Sequence, residues 1–195
     1  GPLPQPNEAA ARRVRVITGK FRGRKLVAPK GDTTRPTADR TRETLFNMLT
    51  SRLGTFEDWT IADLFAGSGA LGIEALSRGA KNCLFVEEDS VALEALRKNI
   101  ETLDLHATTR IEKGSVMRLG PARVPYDLIM LDPPYATGAG NVALDRLLRL
   151  DWIGAQTWIA LETGVKEDVA IKGLTIEAER NVGKAKLTLL TKDAG

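Results

Sequence analysis

Apolar residues recur along this chain in two rhythms, and the rhythm changes near Gly54. Before it, Val14, Val16 and Ile17 mark a short strand, Gly19 and Gly23 bracket a turn, and Leu26-Val27-Ala28 resumes an extended run. Residues 13–28 therefore read as a hairpin, and Pro29 to Pro36 as a loop. Leu45, Met48 and Leu49, with Phe46 beside them, recur at helical spacing, which predicts a helix over Ala38–Ser51 with Thr37 as its N-cap. After Gly54, strand and helix patterns alternate. Strands are predicted at Ile61–Phe65, Cys83–Val86, Thr108–Ile111, Asp127–Leu131 and Trp158–Leu161. Helices are predicted at Gly69–Arg78, from Ser90 through Ile100, and at Asn141–Leu150. Leu174–Ala178 and Lys186–Leu190 around Gly183 read as an antiparallel hairpin. Strands alternating with helices predict a mostly parallel α/β sheet covered on both faces.

Composition narrows the function. The 195 residues suit one domain, or one domain with an arm, and 43% apolar with 27% charged residues is ordinary globular composition. No run approaches the roughly 20 apolar residues of a membrane helix. Cys83 is the only cysteine and His106 the only histidine, which excludes an internal disulfide, a Cys-rich zinc site and a multi-His metal centre. One cysteine and no visible secretory signal fit a reducing, cytoplasmic compartment. The opening Gly1-Pro2 reads as a cloning remnant and residues 3–11 as a loose tail. Cys83 and Trp59, Trp152 and Trp158 read as packing residues, and His106 as a surface residue.

The formal net charge of +3 is unevenly placed. Residues 1–52 carry 12 Lys/Arg against 4 Asp/Glu, a net of +8, while residues 53–195 carry 16 against 21, a net of −5. A basic arm on an acidic body suits a polyanionic partner. Lys20, Arg22, Arg24 and Lys25 cluster around the predicted turn and are the candidate phosphate contacts, with Phe21 either stacking on a base or packing on the body. On this division, 1–12 is remnant and tail, 13–52 docks nucleic acid, and 53–195 is the catalytic body.

Asp63-Leu-Phe65-Ala-Gly67-Ser68-Gly69-Ala-Leu-Gly72 follows a predicted strand and opens a predicted helix, the context in which G-x-G-x-x-G carries meaning. Such a loop lets a ligand approach the main chain, and the helix N-terminus favours a phosphate or carboxylate. Glu87, 20 residues past Gly67 at the next strand end, is placed to accept from a ribose diol. Together these say adenosine-containing cofactor, leaving a dinucleotide and S-adenosylmethionine both open. A second apolar strand runs into Asp132-Pro133-Pro134-Tyr135. Two prolines fix the backbone and remove two N–H donors. A carboxylate, a carbonyl and an aromatic plate match a planar base with an exocyclic amino group: Asp132 and the Pro133 carbonyl accept its protons and Tyr135 stacks.

These features resemble the class I, S-adenosylmethionine-dependent amino-methyltransferases with an (Asp/Asn)-Pro-Pro-Tyr motif. The stretches RVITGKFRGRKL, RPTADRTRETLFNML, DLFAGSGALGIEALSRGA and DLIMLDPPY narrow the likeness. They resemble the RsmD-type family of bacterial 16S ribosomal RNA guanine-N2 methyltransferases, over about Arg13 to Leu190. The resemblance implies a Rossmann-like, seven-stranded sheet with an antiparallel last hairpin, plus the N-terminal hairpin and helix. It implies S-adenosyl-L-methionine as cofactor, no metal, and 16S ribosomal RNA, in a small-subunit assembly particle, as partner. It also implies that Asp63, Gly67 and Gly69, in a loop with Phe65 and Ser68, hold the methionine end, that Glu87 takes the ribose, and that Asp132, Pro133, Pro134 and Tyr135 hold the guanine amino group. The family's usual acidic or amide contact to adenine is replaced by Lys113-Gly114-Ser115-Val116, where Ser115 is the candidate. Arg35, in Arg35-Pro36-Thr37 at the family's active-site flank, joins the RNA-contact candidates. Three other readings compete: an adenine amino-methyltransferase, an NAD-dependent dehydrogenase using the same glycine loop, and a catalytically silent RNA-binding protein.

Overall fold

The computed structural model describes residues 13–30 and 36–195. The tail assigned to 1–12 and the candidate Arg35 lie outside the described residues. β1 (Arg13–Arg15) and β2 (Lys25–Val27) form an antiparallel hairpin, with Val14 opposite Leu26, and α1 (Pro36–Leu53) follows. The helix starts two residues before the predicted Ala38. Proline's fixed φ suits the first helical turn, which takes in Thr37, the predicted N-cap.

The body alternates as predicted: β3 (Thr60–Leu64), α2 (Ala70–Ser77), β4 (Asn82–Glu87), α3 (Ser90–Thr102), β5 (Thr109–Lys113), β6 (Leu128–Leu131), α4 (Ala139–Arg149), β7 (Trp158–Gly164), β8 (Leu174–Val182) and β9 (Ala185–Lys192). These strands make a seven-stranded sheet in the order β5-β4-β3-β6-β7-β9-β8, parallel through β7, with β9 and β8 antiparallel at the edge. This is the Rossmann-like class I methyltransferase arrangement. β3, β4 and β6 are apolar almost throughout because both of their faces are covered. Alternate residues serve the two faces: Ile61, Phe85 and Met130 in one core cluster, Ala62, Leu84, Val86 and Ile129 in the other. The reading of Trp158–Leu161 as a strand stops three residues short, because β7 stays paired with β9 out to Gly164 opposite Ala185.

The basic arm is built into the body. Val14, Val16, Leu26, Leu45, Phe46 and Leu49 join the same core cluster as Ile61 and Phe85. Polar side chains on α2 and α3 supply the fit. The buried Glu74 carboxylate accepts from the Ile17 and Thr18 amides at 2.7 and 3.0 Å, and is paired with Arg78 at 3.0 Å. Ser77 Oγ accepts from the Phe21 amide, and Asn99 exchanges two hydrogen bonds with Val27 while donating a third to the Ser68 carbonyl. Gly19 must be glycine, with φ +91° and the site of a Cβ only 1.9 Å from the Ser77 carbonyl oxygen. Phe21, half-buried, packs against this cluster with Lys20 Nζ 5.1 Å above its ring. Trp59 and Trp158 also pack there, Cys83 is buried in it, and His106 is exposed. Trp152 is buried in the opposite cluster, its ring stacked on Tyr126 at 4.9 Å. No helix among the described residues is long and apolar enough to cross a membrane.

Candidate active site

β3 and β6 are parallel neighbours, with Leu64 opposite Leu131, so the glycine loop and the Asp-Pro-Pro-Tyr turn leave the sheet side by side. In an open α/β sheet this carboxyl-end crevice is where ligands bind. Phe65, Gly67 and Gly69 take left-handed φ values of 57°, 57° and 84°, a series of reversals that turns the loop sharply before α2 begins. For Phe65 that conformation is strained. A Cβ at Gly67 would meet nothing within 4 Å, so the loop backbone there faces open space. At Gly72, instead, a Cβ would fall 2.5 Å from the Phe85 ring, and glycine is required for helix–sheet packing.

Two carboxylates hold this loop. Glu87 Oε1 accepts from the Gly67 amide at 2.8 Å, while Oε2 accepts from the amides of Glu88 and Asp89 at 2.8 and 2.9 Å. Three of its roughly four lone-pair positions are therefore occupied by backbone donors. Asp63 is buried beneath the loop, with Oδ2 accepting from the Gly72 amide at 2.9 Å and Oδ1 without a partner among the described residues. Burial pushes its carboxyl up to about 8, the Gly72 amide opposing and the Glu87 charge adding. Asp63 thus acts on the loop from below and does not line the cleft.

The cleft encloses about 570 Å³, within the range of small-molecule sites. One wall is the loop from Phe65 through Leu71. Another is Asp132, Tyr135 and Glu162. The arm and α1 supply a third through Val14, Ala28, Thr41, Arg42 and Leu45, and the β8–β9 turn a fourth through Val182–Ala185. The cleft therefore takes in the N-terminal segment as well as the body. A second cavity of about 650 Å³ is lined by Glu88, Glu112, Lys113, Gly114, Ser115 and Arg118. Ser115 Oγ accepts from the Met117 amide at 3.1 Å and caps a single 3₁₀ turn.

Asp132 is exposed and lines the cleft. Desolvation by the surrounding protein raises its carboxyl well above the usual carboxylate range, and the neighbouring Glu162 carboxyl adds to the rise. Pro133 is buried, Pro134 is exposed, and the Pro134 carbonyl accepts from Thr137 Oγ1 at 2.8 Å. Tyr135 is 38% exposed with its ring at the cleft, and its hydroxyl donates to Glu162 Oε2 at 2.6 Å. Sequence reasoning missed Glu162 and Arg42. Arg42 is buried, donates from Nη2 to the Arg15 carbonyl and to Asp39 at 3.2 Å, and lies 3.8 Å from Glu74 through Nε. It joins α1 to both the hairpin and α2. Lys20, Arg22, Arg24 and Lys25 are all exposed, and Arg24 reaches the Thr102 carbonyl at 3.4 Å.

Comparison with known proteins agrees with this architecture. The family model described as Conserved hypothetical protein 95 matches residues 14–191. Ribosomal RNA small subunit methyltransferase D of Escherichia coli K12 is 31% identical over 194 residues, 98% of this chain and 96% of that protein. The protein of the same name from Haemophilus influenzae is 39% identical over 154 residues, 77% of this chain and 78% of that protein. The solved structure of Escherichia coli yhhF superposes with a TM-score of 0.82 at 33% identity, over 94% of this chain and 99% of that one.

Proposed function

This chain belongs to the ribosomal RNA small subunit methyltransferase D family, and from that premise we propose that it methylates the exocyclic N2 of a guanine in small-subunit ribosomal RNA, with S-adenosylmethionine as donor. The observation that carries the reading is Asp132, which lines the cleft beside the glycine loop with two prolines next in the chain. S-adenosylmethionine, when bound, supplies an electrophilic methyl group on a sulfonium centre. The residues fit such a molecule. Open space over Gly67 admits the methionine end to the loop backbone, and the α2 N-terminus favours its carboxylate. Glu87 keeps lone-pair capacity for the ribose, and Ser115 borders the cavity that would take the adenine. Phe65 and Ser68 line the wall between, and Asp63 fixes the loop from beneath.

The guanine amino nitrogen is a poor nucleophile because its lone pair is delocalised into the ring. Asp132 and the Pro133 carbonyl accept its two N–H bonds, which favours a pyramidal nitrogen and stabilises the charge that develops there. Tyr135 stacks on the ring and sets the line of attack. Asp132 would take the N2 proton that the amino nitrogen must lose on gaining the methyl group and pass it to water. The base reaches the cleft unpaired or flipped out of its helix. Lys20, Arg22, Arg24 and Lys25 contact phosphates.

The test is mass spectrometry of ribosomal RNA from cells with and without the protein. One N2-methylguanosine of the small subunit should disappear without it; loss of a methyladenosine instead would move the assignment to adenine. S-adenosylmethionine at 100 times its Kd should add about 2.7 kcal/mol to thermal stability, and NAD nothing. Neutralising the four arm residues should weaken RNA binding and flatten its salt dependence by roughly 0.7–0.9 per contact, with cofactor affinity unchanged.

A further inference from the structure

Glu162 is an acid of the cleft to which the proposed reaction gives no task. It ends up there because β6 and β7 run parallel with Leu131 opposite Leu161, so the next residue on each strand, Asp132 and Glu162, emerges at the same level. Both line the cleft. The Glu162 carboxyl stands near enough to help raise that of Asp132, and Tyr135 donates to Glu162 Oε2 at 2.6 Å. The surface beside the tyrosine ring therefore offers two carboxyl acceptors in a row.

Two adjacent acceptors call for two adjacent donors. The Watson–Crick edge of guanine presents the N2 amino group next to N1–H, donor beside donor. That of adenine presents the N6 amino group next to an unprotonated N1, donor beside acceptor. With the amino group on Asp132, the neighbouring carboxylate meets an N–H in guanine and a lone pair in adenine. We propose that Glu162 is the residue that selects guanine, by accepting the N1–H while Asp132 accepts from N2. This rests on the reading of the site as a guanine-N2 methyltransferase and assigns its base specificity to one side chain. A site built to hydrogen-bond a donor rejects an analogue that lacks it far more strongly than an apolar pocket rejects a misfit, because its own polar group is left facing a like charge.

The discriminating substrate is RNA with 2-aminopurine at the target position. That base keeps the exocyclic N2 amino group and replaces N1–H by a lone pair. The wild-type protein should prefer guanine by at least about 100-fold in kcat/KM. Glu162→Gln, whose amide can turn an N–H toward N1, should cut the preference below about 10-fold by losing on guanine and gaining on 2-aminopurine. Glu162→Asp keeps the charge and should keep the preference at a lower rate. Tyr135→Phe removes the hydroxyl from Glu162 and should leave the ratio unchanged. Equal losses on both substrates in Glu162→Gln would mean that the residue only steadies Tyr135, and the inference would fall. Should that variant not fold, judged by cofactor-induced thermal stabilisation, the wild-type ratio decides: less than about 3-fold preference for guanine overturns the inference, and 100-fold sustains it. Failure of the parent reading shows separately, as the absence of any methyl on N2 of the guanine RNA.

Discussion

Two carboxylates at the ends of parallel strands flank β3, and the chain treats them in opposite ways. Glu87 ends β4 and is followed by Glu88 and Asp89, whose amides both donate to it; the Gly67 amide supplies a third donor. Asp132 follows β6 and precedes Pro133 and Pro134, which have no N–H to give. Its carboxyl has that of Glu162 for a neighbour and is raised well above the usual range. The same chemical group is thus largely occupied as a brace of the glycine loop in one case and an open acceptor at the cleft in the other. The next two residues decide which. A turn that caps its own carboxylate builds structure, and a turn that cannot cap it holds the acceptor ready for donors from outside the chain.

Removing the open acceptor should have the largest effect. Asp132→Ala is expected to lower methyl transfer by about 10²–10³-fold, measured as kcat/KM, with cofactor affinity little changed, because the lost contact matters chiefly as charge develops on nitrogen. Near-normal turnover would remove Asp132 from the chemistry. Removing the brace should act on the loop. Glu87→Ala frees the Gly67 amide and both amides of its own turn, and charge-assisted hydrogen bonds of this kind contribute about 1.5–3 kcal/mol. Calorimetric titration should show cofactor affinity about 10–100-fold weaker. Unaltered affinity would mean that the loop holds its shape without Glu87 and that the ribose does not use it.

The two motifs were legible in the sequence for the same reason that they work: each is a short local pattern at a strand end. The glycine loop, Glu87 and Asp132-Pro-Pro-Tyr all follow apolar runs that could only be buried parallel strands, and the pairing of β3 with β6 then brings them together. Glu162 was not legible. Its partner Asp132 is 30 residues earlier, no motif surrounds it, and the apolar run of β7 stops at Leu161. Only the pairing of β7 with β9, which continues to Gly164, carries the strand past Glu162 and fixes that residue at the cleft. The seating of the arm was not legible either. Its charges were plain, but Glu74, Ser77 and Asn99, which seat it, look in sequence like ordinary polar positions on helices. Their role is tertiary, as is that of Arg42, which α1 carries into the cleft wall.

The contrast between the two turns can itself be tested with one substitution of smaller effect. Pro134→Ala restores an N–H two residues after Asp132, the position from which the Asp89 amide serves Glu87. An aspartate readily accepts from the amide two residues on. Pro134 is exposed, so the change opens no cavity, and its cost to folding is the entropy of a looser unfolded chain, about 1 kcal/mol or less. The new hydrogen bond favours the ionised carboxylate, so the Asp132 carboxyl should fall from its raised position toward the ordinary range. Two consequences follow with definite signs. An acceptor that must be ionised gives a rate that rises with pH through its pKa, so the acid limb of the profile should move to lower pH in the variant. At high pH, where both proteins are ionised, transfer should be about 3–10-fold slower, because part of the carboxylate is already occupied and a net hydrogen bond of about 0.5–1.5 kcal/mol competes with the substrate's donors. Cofactor affinity should stay the same, since the change lies beyond the loop. A profile whose acid limb does not move would show that the prolines serve only to fix the turn, and the difference between the two carboxylates would then have to be traced to burial alone.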